Sequence, residues 1–188
     1  MFDGKFNKIL FFEKEYEKEL NTKDIINNNF TNILTLLTIN LTIFFYFIIN
    51  TPIIDFFKSE HKISYIIFFI SSYFYIIYVL NILIHSYDYY FNNDLYMKLP
   101  YSNQLDKYFQ TLEKFDSENL SRNINDYLVK FYIESSSQNS KVNEYKIDLQ
   151  FKIRKILYLQ FIVLFIIFIS YYVIMNGDLN TYNVKIKV

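Results

Sequence analysis

At 188 residues, with Lys plus Arg and Asp plus Glu balanced at 19 each, the chain has no net charge to draw it to nucleic acid or anionic lipid, so any such affinity must come from local clustering. It has no cysteine, which excludes disulfides, thiolate nucleophiles, iron–sulfur clusters and cysteine-bound zinc, and His61 and His85 alone leave almost no material for a histidine metal site or a catalytic triad. Gly4 and Gly177 are the only glycines, which excludes a phosphate-cradling loop and a GxxxG packing motif.

Residues 1–29 are read as an amphipathic helix, because Ile9, Phe12, Tyr16 and Leu20 recur at helical spacing. The segment does not read as a cleavable signal, since its apolar start leads into the alternating charges of Glu13–Glu19. Residues 30–84 follow as two membrane spans, Phe30–Ile49 and Ile63–Ile84. The first places Thr31, Thr35, Thr38 and Thr42 on one stripe, at i, i+4, i+7 and i+11, with Asn32 at its edge and Asn40 roughly opposite. Two readings of this stripe stand. Threonines that return their hydroxyls to the backbone make a helix-packing face; in an oligomer, Asn32, Thr35, Thr38 and Thr42 would instead line a hydrated pore with little ion selectivity.

Thr51-Pro52 is expected to end the first helix, and the connection Asn50–Lys62 is too short to be a domain. The second span carries Ser71, Ser72 and Asn81, and is followed by His85, Tyr87, Asp88, Tyr89 and Tyr90, which suit an interfacial aromatic belt. Residues 85–155 form a polar helical body. Leu99-Pro100 breaks the chain and Ser102 can cap a new helix with an apolar face of Leu105, Tyr108, Phe109, Leu112 and Phe115. A second pattern, from Leu120 through Tyr127 and Phe131 to Leu149 and Ile153, is expected to run through Glu134–Asn139 without a break, since no Gly or Pro interrupts it.

That helix leads into a third span at 156–175, which contains no charged residue, and residues 176–188 are left as a C-terminal tail. The fold class is therefore an all-α membrane protein: three transmembrane helices, an N-terminal amphipathic helix and a cytoplasmic helical hairpin running into the third span. Lys14, Lys18, Lys23, Lys141, Lys146, Lys152, Arg154 and Lys155 on one side of the membrane outnumber Lys58, Lys62, Lys185 and Lys187 on the other. The imbalance places the N-terminus and body in the cytoplasm of a multi-pass plasma (inner) membrane protein.

No constellation for catalysis emerges, since acids such as Asp126 and Glu134 are lone carboxylates on helices with neighbouring lysines, the pattern of a solvated face, and a non-enzymatic role is expected. The spans hold nothing ionisable but tyrosine, which argues against proton pumps, voltage sensors and ion-coupled transport. The basic segment also has two readings. Lys141, Lys146, Lys152, Arg154 and Lys155 can anchor the chain to anionic headgroups. Alternatively, with Asn139, Asn143 and Gln150 as hydrogen-bonding groups and Tyr145 as a stacking surface, they can face a phosphate-bearing ligand shared by several subunits.

The run Asn125–Glu134 (NDYLVKFYIE), then Gln138-Asn139 and Lys141–Glu144, together with Glu13–Leu20 (EKEYEKEL) before the first span and Leu99-Pro100 opening the body, resembles the small three-span bacterial membrane effectors of anti-phage defence that accompany nucleotidyltransferases, the Hailong type. The resemblance covers most of the chain. It implies a homo-oligomeric, channel-like effector without a cofactor, regulated by a single-stranded DNA or cyclic nucleotide product of a companion nucleotidyltransferase, whose opening depolarises the infected cell. A rival of another class is a structural subunit of a larger membrane complex, such as a respiratory assembly.

Overall fold

The computed structural model describes residues 7–52, 61–91 and 95–185, with side chains described as far as Asn176. Among these residues it is all-helical: α1 (Lys8–Asn50), α2 (Lys62–Phe91), α3 (Ser102–Phe115) and α4 (Leu120–Lys185). The helices α1, α2 and α4 are each long and apolar enough to cross a membrane. Residues 53–60 of the connection, with Lys58, and residues 186–188 of the tail, with Lys187, lie outside the described residues.

Local chemistry accounts for where the helices begin and end. Asn7 opens α1, its side-chain oxygen accepting from the Leu10 N–H at 3.2 Å. Neither Gly nor Pro occurs between Gly4 and Pro52, so no residue interrupts the ladder where the amphipathic pattern gives way to the apolar one, and α1 passes through both as one helix. It stops at Thr51-Pro52 as expected, with the Thr51 hydroxyl donating to the Phe47 carbonyl at 2.7 Å. The α2 helix extends beyond Ile84 through His85 and the tyrosines to Phe91. Ser102, expected as a cap, is instead the first residue of α3; Tyr101 takes the capping position and its side chain makes no capping bond.

The chain divides into two compact units, one drawn from residues 1–28 and 93–148, the other from 29–92 and 149–188. In the second, α1 and α2 run antiparallel, as two stacked ring pairs show: Phe30 on Tyr89 at 3.8 Å and Phe44 on Tyr75 at 4.1 Å. Phe47 packs on Phe168 and Tyr171 of α4 at 5.9 and 5.1 Å. Phe68, Leu164, Ile167 and Ile174 complete this apolar core. Ring pairs of this kind add about 0.5–1.5 kcal/mol each beyond the area they bury.

In the first unit, the Tyr16 ring of α1 packs on Phe131 and Tyr132 of α4, and Tyr108 and Phe109 of α3 pack on Tyr127. The Asp116 carboxylate joins the end of α3 to the start of α4, accepting from the Asn123 side chain and from both the side chain and backbone of Asn119 at 3.1–3.2 Å. Those bonds, that from Asn123 foremost, hold its carboxyl below the usual carboxylate range.

The second unit also buries two amides within its apolar interior. Asn40 of α1 and Gln160 of α4 are fully buried and form no side-chain hydrogen bond with any described residue; Gln160 lies against the Tyr75 hydroxyl without bonding geometry. A buried unpaired polar group costs about 1–3 kcal/mol. Asn40→Leu, close to Asn40 in volume, is therefore expected to raise the thermal midpoint in detergent, followed by circular dichroism. A lower midpoint would mean that the Asn40 amide has a hydrogen-bond partner in the folded protein.

Candidate functional site

Two features carry functional chemistry, one in each unit. In the second unit, the α1 positions Ile33, Leu37, Asn40, Phe44 and Phe47 are buried, while Thr31, Asn32, Thr35, Thr38 and Thr42 are exposed. At about 100° per residue the threonine stripe lies half a turn from that buried face, so it points away from α2 and α4. The hydroxyls of Thr35, Thr38 and Thr42 donate to the carbonyls of Thr31, Leu34 and Thr38, each at 3.0 Å. Each hydroxyl has thus spent its single proton, and only lone pairs remain on the outer side. The stripe is neutral and offers acceptors.

In the first unit, residues 95–100 are not helical and have no ladder of their own, so their backbone groups need side-chain partners. Asn139 of α4 supplies a matched pair. Its Oδ1 accepts from the Met97 N–H at 2.8 Å and its Nδ2 donates to the Met97 carbonyl at 3.1 Å. One turn on, Asn143 accepts from the Tyr96 hydroxyl at 2.7 Å and donates to the Glu19 carbonyl at 2.9 Å and to the Glu19 carboxylate at 2.8 Å. The Tyr16 hydroxyl accepts from the Leu99 N–H at 3.1 Å. The segment is thereby strapped onto α1 and α4 of its own unit.

The ring of Tyr96 carries two ammonium groups, Lys23 at 5.0 Å and Lys146 at 5.3 Å. Burial, and then the charge of Lys23, hold the Lys146 amine below the usual lysine range. Beside the strap, Tyr16, Leu20, Lys23, Asp24, Lys98 and Leu99 bound an open cavity of about 370 Å³.

The basic segment 139–155 is therefore not one site. Asn139, Lys141, Asn143 and Lys146 fall in the first unit and Lys152, Arg154 and Lys155 in the second. Asn139 and Asn143 are buried and occupied by the strap, Lys146 is half-buried, and Lys141, Lys152, Arg154 and Lys155 are exposed. Asp126 and Glu134 lie near Arg122 and Lys130, each pair 3.9 Å apart on the surface of α4. No three metal-ligating side chains come together among the described residues. Tyr16, Glu19, Tyr96 and Met97 were not apparent as parts of a site. The available signal was the Asn139/Asn143 pair, two amides one turn apart on a face that also presents Val142 and Leu149.

Compared with known proteins, the chain matches no family model, no curated protein and no solved structure.

Asn139→Ala removes both bonds to Met97 and is expected to cost about 2 kcal/mol, at about 1 kcal/mol net for each bond. Hydrogen exchange at the Met97 amide should quicken about thirtyfold; unchanged exchange there would mean that the strap is secured without Asn139. The Lys146 amine, with its pKa lowered in the folded state, binds its proton more weakly folded than unfolded. Stability should therefore rise with pH as Lys146 deprotonates, up to the ordinary lysine pKa of about 10.4. In Lys23→Gln that rise, read from denaturant midpoints, should be smaller, and an unchanged slope would exclude the Lys23 charge as a cause.

Proposed function

We propose that this protein is a homo-oligomeric membrane effector that conducts ions, with the threonine stripe of α1 lining a water-filled path between copies. The observation that carries the reading is the direction of the stripe. A row of hydroxyls facing away from the protomer's own core meets either lipid or another copy, and hydroxyl acceptors gain most from meeting water. Only 28% of the most apolar stretch of each long helix is buried within the chain, which leaves ample surface for copies to assemble. Acceptor oxygens without protons to offer favour hydrated cations over anions, and the absence of charge keeps discrimination among cations weak.

In this reading the first unit, with the strap, Lys23, Lys141 and Lys146, is cytoplasmic and responds to a single-stranded DNA or cyclic nucleotide made by a companion nucleotidyltransferase. The membrane is the bacterial inner membrane, and the outcome is depolarisation of an infected cell. The resemblance drawn from the sequence supports this part, as does the placement of two ammonium groups on one ring. The same uncovered apolar surface would also suit a structural subunit surrounded by other proteins, which would be unstable alone and carry no current.

Purified protein in liposomes is expected to pass potassium more readily than chloride. Thr35→Leu/Thr38→Leu, which removes two acceptors and fills the path with methyl groups, should reduce that flux at least tenfold with assembly intact by size-exclusion chromatography. Undiminished flux in the double variant would remove the stripe from the path.

A further inference from the structure

The exposed side of α4 where its apolar run begins bears a shallow cavity of about 510 Å³, lined by Phe151, Arg154, Lys155, Tyr158 and Leu159. The spacing of these residues puts them on one helix face, and all five are exposed. Lys155 lies over the Phe151 ring at 4.6 Å, which fixes the ammonium at the rim of the cavity. Neither Arg154 nor Lys155 belongs to an ion pair found among the described residues. Along the same face, the following turns present Ile162, Phe165, Ile166 and Ile169, exposed and uncharged.

Two cations thus stand at the head of a continuous apolar strip. A ligand that satisfies both must be an anion at one end and a hydrocarbon at the other. A nucleic acid would meet the cations with its phosphates but would lay polar bases and sugars on the isoleucines. We propose that this face binds one anionic glycerophospholipid. Its phosphodiester lies against the Arg154 guanidinium, which can chelate two oxygens, and the Lys155 ammonium; the Tyr158 ring sits at the level of the glycerol, and one acyl chain follows Ile162 and Ile166. From Lys155 to Ile166 is about 17 Å along the helix at ~1.5 Å per residue, close to half of a hydrocarbon core of ~30 Å, so the acyl chain spans one leaflet and ends near the bilayer midplane. This assignment rests on α4 crossing the membrane and is independent of ion conduction.

The test is native mass spectrometry of the full chain in detergent with equal amounts of phosphatidylglycerol and phosphatidylcholine. At about fivefold per cation, phosphatidylglycerol should be retained about twenty-fivefold over phosphatidylcholine. Arg154→Gln and Lys155→Gln should each leave about fivefold, the double variant none, while Arg154→Lys keeps most of the preference and Lys141→Gln, in the other unit, keeps all of it. All these positions are exposed, and unchanged helicity by circular dichroism checks each variant; should the double variant not fold, the two single variants decide the matter. Equal retention of the two lipids by the unaltered chain would overturn the proposal. So would an undiminished preference in Arg154→Gln and Lys155→Gln, or displacement of phosphatidylglycerol by short single-stranded DNA that depends on these two residues.

Discussion

The absence of water from the bilayer core is the constraint on which this structure depends. Every backbone N–H and C=O within the hydrocarbon must find its partner along the same helix, so the apolar stretches of α1, α2 and α4 can only be helical. Threonine fits such a helix because its hydroxyl adds a bond to a carbonyl already in the ladder, as Thr35, Thr38 and Thr42 do. With backbones thus self-sufficient, cohesion between the helices falls to side-chain packing. The stacked pairs Phe30–Tyr89 and Phe44–Tyr75 provide that cohesion between α1 and α2.

Asparagine shows how the same side chain serves opposite ends under different conditions. In the first unit, Asn139 and Asn143 are buried because residues 95–97 bring backbone and hydroxyl groups that an amide, with donors and an acceptor side by side, can match. In the second, Asn40 faces an apolar interior in which all backbone groups are already taken, and its amide has no bond. The first arrangement fixes a connection that has no secondary structure of its own. The second leaves a polar group whose replacement by an apolar side chain of similar volume stabilises the fold.

The helices were legible from the sequence because a long charge-free run such as Ile156–Met175 has few physical solutions. The continuity of α1 was less so: a change of pattern near Phe30 reads as a boundary, but a helix needs a breaker to end and none is present. The spacing of Thr31, Thr35, Thr38 and Thr42 revealed a stripe, yet apolar residues surround it on both sides, so nothing in the order of residues told which face packs inward. The strap was out of reach because its bonds join residues 42 and 83 positions apart, Met97 with Asn139 and Leu99 with Tyr16. The basic segment misled for the converse reason. Residues adjacent in sequence along one long helix are carried into different surroundings, so that Lys146 faces an aromatic ring while Arg154 and Lys155 stand over an exposed apolar strip.

Whether the outward stripe of α1 faces water between copies can be measured directly, because the chain has no cysteine of its own. Single cysteines at Thr35, Thr38 and, as an exposed apolar neighbour on another side of the helix, Leu36 can be challenged in liposomes with a membrane-impermeant thiol reagent. A water-facing stripe gives modification at Thr35 and Thr38 and protection at Leu36. Equal protection at all three would place the stripe in lipid and contradict this reading.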